Sequence, residues 1–337
     1  MFGKLALQSL LDRKGSVMLS LMAMTFSIFV LLAVEHIRHQ AKVSFSNTVS
    51  GVDLIVGART GSLNLLLYSV FRIGSPTNNI RWQTYQTIAN SKKVKWAIPI
   101  TLGDSHKGYS VLGTSTDYFQ KFSYGEQQPL TFTEGRAFER VFDTVIGAEV
   151  AKKLGYQLGD KLILAHGVAA TSFSMHDDKP FTVVGILAPT GTPVDQTLHI
   201  SLQGIEAIHH NWQQGVKMPN RHLDNLAQAE LTLAELQPKS ITAFMLGLES
   251  KMTTFQLQRN INNYSQEPLL AILPGIALSE LWQMMGILEN TLLLVSTLVF
   301  VAACLGVSAM LLSSIRERHQ EIQLLRVVGA PPYFLFF

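Results

Sequence analysis

Apolar runs free of charge divide the chain into two outer zones and a long patterned middle. Residues 16–34 contain no charged side chain. That run is close to the ~20 mainly apolar residues a membrane-spanning helix requires. A second charge-free run, rich in Leu and Val, covers residues 290–312. These runs predict transmembrane helices over 16–36 and 286–312. Before the first, Phe2, Leu5, Leu7, Leu10 and Leu11 lie among Lys4, Gln8 and Ser9. That mixture of apolar and polar residues is compatible with a short helix lying in the membrane interface within 1–15. A cleaved secretory signal is the competing reading. Glu35, His36, Ile37 and Arg38 provide no small-x-small cleavage site after the run, which favours an uncleaved anchor.

Flanking charge orients the spans. Lys4, Arg13 and Lys14 precede the first, and Arg316, Arg318 and Arg326 follow the second. The positive-inside rule puts both of these flanks in the cytoplasm. Residues 37–285 are then extracytoplasmic. After Pro331 and Pro332, the residues Tyr333, Phe334, Leu335, Phe336 and Phe337 open a further apolar run. It is read as the start of a third span at 331–337, with the chain truncated at its C-terminus and four spans in the full protein.

The middle alternates as a mixed α/β domain. Strands are expected at 52–56, 94–102, 107–113, 241–248 and 269–273, and helices at 82–90 and 253–264. Pro99 marks an edge or a bend. Strand, helix and strand recur early and late, so a discontinuous porter-like subdomain carries an inserted second subdomain at about 129–237. Within the insert, 145–160 is read as helix followed by a turn at Gly155 and Gly159. Residues 161–165 and 181–187 are read as strands, and 190–195 as a loop. A helix capped by Ser201 is expected to reach about Trp212. Residues 220–238 are polar, a helix with a surface connection. The fold class is therefore an α+β membrane protein, with transmembrane helices flanking a large mixed α/β extracytoplasmic domain.

Composition fits this division. The mean hydropathy is +0.22, high for a soluble domain, yet charged residues still make up 15% of the chain. The net charge of +3 gives no basis for a nucleic-acid partner. The one cysteine, Cys304, lies in the second apolar run, so the outer domain must fold without disulfides.

Behind the second span the chain reads Glu317-Arg318-x-x-Glu321-Ile322-x-x-x-Arg326-x-x-Gly329-Ala330. Ile315, Ile322, Leu324, Leu325, Val327 and Val328 supply apolar cover, Gly329 ends the segment, and Pro331 and Pro332 prevent its continuation. An amphipathic helix of this kind can dock into a groove on a soluble partner. An interfacial helix holding lipid headgroups through Arg316, Arg318 and Arg326 is the plainer alternative.

The pattern resembles the cytoplasmic segment of MacB/FtsX/LolC-type ABC transporter permeases. Gln323 stands where that family often has Gly, and Leu325 where it often has a second basic residue. The run from Val145 to Gly155, Leu158 to Leu162, and Phe181 to Leu187 is similar to the MacB-like periplasmic core domain. The resemblance implies a non-catalytic permease subunit in the bacterial inner membrane. It would transmit ATP-driven conformational change to a periplasmic domain, for export or extraction of a substrate at the outer face. Residues 313–330 would form the coupling helix, with Glu317, Arg318, Glu321, Ile322, Arg326, Gly329 and Ala330 as its working positions. It implies a separate cytoplasmic ABC ATPase that holds ATP and Mg, and a second permease subunit in a homo- or heterodimer. A periplasmic or outer-membrane partner and membrane lipid complete the expected contacts.

Consistent with this, the chain has no G-x-x-x-x-G-K-[ST] motif, no nucleophile elbow and no HExxH. No cofactor is expected on the chain itself. The first span carries no ionisable residue, unlike ion-coupled carriers. An FtsX-like regulator of a periplasmic enzyme, a two-span sensor receptor and a component of a metal-uptake-associated ABC system are the alternatives. Of the ten histidines, His166, His176, His199, His209, His210 and His222 fall in one region. Their spacing matches no ligand motif, so they are read as surface residues and not as a metal site. Leu63, Leu66, Leu67 and Phe71 lie in a dense apolar run. It is read first as core and second as a substrate or partner surface.

Overall fold

The computed structural model describes residues 14–166, 179–209, 212–213, 216–217, 236–317, 323–324, 326–327 and 329. It divides into two units, residues 1–42 with 283–337, and residues 43–282. The N-terminal stretch before Lys14 and the predicted third span at 331–337 lie outside the described residues, as does most of the polar 220–238 segment.

The first unit is built on two long helices, α1 (Lys14–Ser46) and α8 (Pro274–Glu317). Their apolar windows are Leu21–Gln40 and Pro274–Ala309, with mean hydropathies of 1.6 and 2.4. Phe26, Phe29, Leu292 and Leu298 are all more than half exposed, an arrangement suited to lipid and costly in water. Arg38 reaches Glu289 at 3.8 Å and also pairs with Glu35. The helix that carries the second span starts well before the predicted residue 286, because nothing between Pro274 and Glu289 breaks it.

The second unit is organised by one 12-stranded sheet. Its strands in chain order are β1 (Leu54–Ala58), β2 (Val94–Thr101), β3 (Asp104–His106), β4 (Tyr109–Thr114), β5 (Phe132–Gly135) and β6 (Asp143–Ile146). They continue with β7 (Lys161–Leu162), β8 (Ala165–His166), β9 (Phe181–Leu187), β10 (Thr197–Ser201), β11 (Ala243–Leu248) and β12 (Leu269–Ile272). The main path is β7-β9-β6-β10-β4-β2-β11-β1-β12, with β8 on β3, β3 on β4 and β5 on β9. The pairs β9–β6 and β10–β4 are parallel. Strand β1 runs antiparallel to both β11 and β12.

Among the described residues, the α-helices of this unit are α2 (Ser62–Leu66), α3 (Trp82–Ala89), α4 (Asp117–Lys121), α5 (Ala148–Leu154), α6 (Leu202–His209) and α7 (Thr254–Asn262). A π-helical turn, Leu67–Phe71, prolongs α2. Alternation along β1 sorts side chains to two faces. Ile55 joins a cluster with Leu65, Tyr68, Phe71, Tyr118 and Met245. Leu54 and Val56 join Tyr85, Ile88, Phe244, Leu257 and Ile261 under α3 and α7. A third cluster packs α5 and α6 through Val150, Ile205 and Ile208 onto Ile146, Val183 and Ile200.

The sheet corrects one expectation and adds detail to others. Residues 145–146 are strand, not helix. They are wholly buried, and helix α5 starts only after the extended Gly147. The stretch 197–201 is a central strand, although Thr197, His199 and Ser201 make it look too polar for one. Pro99, expected at an edge or a bend, sits at a local edge of the sheet, paired only with Phe244 of β11. It is tolerated because β4 meets β2 only at Ile100 and Thr101, so at Pro99 the strand has a partner on one side alone. Strand β10 of the inserted segment pairs with β4 over five residues, so one continuous sheet runs through it.

Candidate functional site

Three places among the described residues are candidates for function. The first follows the second span. Helix α8 ends at Glu317, the first of the expected coupling positions. Arg318, Glu321, Ile322 and Ala330 lie outside the described residues. Leu324 and Val327 are helical and exposed, at 66% and 85%. Arg326 is exposed with them, and Gly329 turns the chain at φ +94°, its amide donating to Arg326 O at 3.1 Å. Positions 324 and 327 are three apart and share a helix face. Two large apolar side chains are thus exposed on one face beside a cation.

The second place is the base of the outer unit, where the ends of both long helices enter its core. Phe45 of α1 lies 4.6 Å from Phe71 and 5.7 Å from Trp282 of α8, ring centre to ring centre. Ala277 is buried in the same cluster. Ser62 donates to Glu280 at 2.6 Å. Trp282 Nε1 is buried and donates to no acceptor among the described residues. Of the residues read as a substrate or partner surface, Leu66 and Phe71 are buried core residues, and Leu63 and Leu67 are half-buried. The apolar run packs against the sheet, so Leu66 and Phe71 offer no surface to a partner.

The third place is a polar group behind the π-helical turn. Arg72 ends that turn in the left-handed region, at φ 60°. An arginine there is uncommon, and π-turns recur at functional positions. The residue as a whole is half-buried. Its Nη1 donates to Ser69 O, and its Nε is sealed from solvent with no acceptor among the described residues. Burial pulls the guanidinium below its ordinary pKa, while the Tyr118 hydroxyl beside it acts in the opposite sense. Burial likewise pushes the Tyr118 hydroxyl up.

The same group contains His199, expected on the surface from its spacing but completely buried. Its Nδ1 faces Val145 O at 3.3 Å, and its ring lies 5.2 Å from Tyr118. Burial, then the nearby Arg72 charge, lowers its pKa to about 3. His209 is also engaged, its Nε2 3.7 Å from the buried Asp104. In the sequence Arg72 is simply the residue after the largely apolar run Leu65 to Phe71, and nothing there sets it apart from other basic residues.

Two cavities meet at Leu102, Gly103 and Asp104. One, of about 290 Å³, has Arg72, Ser75 and Ser110 in its walls. The other, of about 370 Å³, is lined by Glu206, His209 and Lys239.

A family model described as the MacB-like periplasmic core domain matches residues 17–263. Among solved structures, the chain is similar to the periplasmic region of MacB from Actinobacillus actinomycetemcomitans. That match has 10% identity and a TM-score of 0.41, and covers 71% of this chain and 94% of that one. It is also similar to the extracellular domain of the noncanonic ABC-type transporter YknZ from Gram-positive bacteria. There the identity is 13% and the TM-score 0.34, with 66% of this chain and 98% of that one covered. No curated protein matches the chain.

Proposed function

The chain belongs to the family of the MacB-like periplasmic core domain, that of MacB/FtsX-type ABC transporter permeases, and we propose that it transmits force from a cytoplasmic ATPase to its outer domain. ATP and Mg are held by that separate ATPase subunit. The permease pairs with a second permease subunit in the inner membrane, with residues 43–282 in the periplasm. Motion imposed at the cytoplasmic side reaches the outer domain through α1 and α8. Substrate is exported or extracted at the outer face and need not pass between the spans.

The observation that carries this reading is the open apolar face of Leu324 and Val327 beside Arg326, directly behind the second span. A surface of that kind is buried when a partner groove receives it. Removing apolar contact and reversing the charge should both weaken the docking. The experiment co-expresses the permease with its ATPase and measures complex formation and ATP hydrolysis for Leu324→Asp, Val327→Asp and Arg326→Glu. Membrane levels should be unchanged and co-purified ATPase reduced, with the link between hydrolysis and transport broken. Full co-purification and normal coupling in all three variants would reject the docking role and leave an interfacial anchor.

A further inference from the structure

The cavity of about 290 Å³ beside Arg72 has a composition that core packing does not require. Its size is at the lower edge of small-molecule sites. Arg72 stands in its wall and has no carboxylate partner among the described residues: its polar neighbours are Ser69 O and the Tyr118 hydroxyl. A guanidinium stays cationic in a protein. Although the residue is half-buried, its Nε is sealed from solvent without an acceptor among the described residues, and proteins ordinarily match such a donor. Capping the π-helical turn through Ser69 O needs a donor, which an uncharged side chain could supply. A full charge at that place calls for an anion.

The other wall has the opposite character. Asp104 is 4% exposed and lines the same cavity. Its Oδ1 lies 3.7 Å from Nε2 of His209, which lines the neighbouring cavity. Ser110 is a further polar residue of the lining, and Leu102 and Val111 supply apolar surface. One cation facing an acidic wall disfavours a dianion such as phosphate, because Asp104 repels its second charge. It suits a monoanion whose far end donates hydrogen bonds.

We propose that this cavity binds a small carboxylate-bearing ligand, its carboxylate against Arg72 and an amine or similar donor toward Asp104. A free amino acid and the C-terminal end of a peptide share this chemistry. The site is separate from the cytoplasmic docking face and does not depend on the coupling role, so it is measured on the permease alone.

The test uses the full chain in detergent. Thermal melts and equilibrium dialysis are run with glycine, triglycine, N-acetylglycine and inorganic phosphate at millimolar concentration. Glycine or triglycine should raise the melting temperature, with N-acetylglycine weaker by about tenfold, the scale of one lost charged contact. Glycine alone active points to free amino acids, and triglycine as effective points to peptide ends. Arg72→Gln should weaken binding by about tenfold or more. Should that variant fail to fold, Ser75→Trp decides. Ser75 is an exposed residue on the rim, and a Trp there should block binding while leaving the unliganded melt unchanged. No shift with either glycine or triglycine would overturn the proposal. So would phosphate binding as tightly as glycine, or binding that survives in Ser75→Trp.

Discussion

Replacing His199 by Phe should flatten the acid side of the stability curve. His199 has 0% exposure, between Tyr118 and Phe119 and near Arg72. Its pKa is about 3 in the folded state and about 6.5 in the unfolded chain. A base whose folded pKa is lowered binds its proton more readily when unfolded. Between pH 6.5 and 3 the unfolded state therefore gains protons that the folded state refuses, and stability is lost as pH falls through that window. At pH 5 the unfolded imidazole is almost wholly protonated and the folded one almost wholly neutral. The linked penalty there is about 2 kcal/mol, rising to about 3 kcal/mol at pH 4.

In a domain of this size, 2 kcal/mol corresponds to a shift of roughly 4–8 °C in melting temperature. Phe fills a similar volume among aromatic neighbours. It also removes Nε2, which is buried without a partner among the described residues, at the cost of the long Nδ1 contact to Val145. Melts of the full chain in detergent, from pH 7.5 to 4, should show His199→Phe close to wild type at the upper end. At pH 5 the variant should be less acid-sensitive by that amount. Part of the slope should persist, because burial lowers the pKa of His106 as well. Superimposable pH curves for the two proteins would refute the reasoning and show that His199 accepts a proton where it lies.

Two further outcomes follow from the packing. Gly147→Ala should destabilise the outer domain by about 3 kcal/mol, because its Cβ would fall 2.3 Å from Val194 O and 2.4 Å from Asp195 O. These are backbone atoms that cannot swing aside, and chemical denaturation of the variant measures the loss. A fragment of residues 43–282 should give a cooperative melt and a mixed α/β circular dichroism spectrum, since its three apolar clusters are internal to it. An unfolded fragment would show that the spans form part of its core.

Strands with dense apolar and β-branched residues are legible from the amino-acid order alone. Ile55 and Val56, Ile98 and Ile100, and Met245 and Leu246 announce β1, β2 and β11 by composition. Caps are legible too: Ser201 Oγ accepts from the Gly204 amide at 2.9 Å, as a residue opening a helix should. The strand that escapes is the one whose burial is not written in its own residues. Thr197 to Ser201 alternates polar with apolar and reads as a half-exposed segment. The chain covers both its faces, through Tyr118 and Phe119 on one side and Ile205 and Phe181 on the other. Three of those four covers lie at least 16 residues away in sequence, so no local window contains the whole set.

The two proposed functional regions differ in legibility for a related reason. A docking helix must keep its own amphipathic pattern, because its partner is another chain. That pattern therefore survives in the order Arg326, Val327, Val328, Gly329 whatever the rest of the fold does. A cation drawn toward a core is defined by what surrounds it. Arg72 is one of 27 basic residues, and nothing in its immediate sequence distinguishes it from a solvated one. Its position follows from the apolar run before it, which must turn into the core to bury Leu66, Val70 and Phe71. The next residue is carried inward with them and leaves the turn at positive φ. Its neighbours Tyr118 and Asp104 come from α4 and β3, more than thirty residues later. A short apolar helix that ends in a cation is thus a signal only when a sheet stands behind it to hold the helix down.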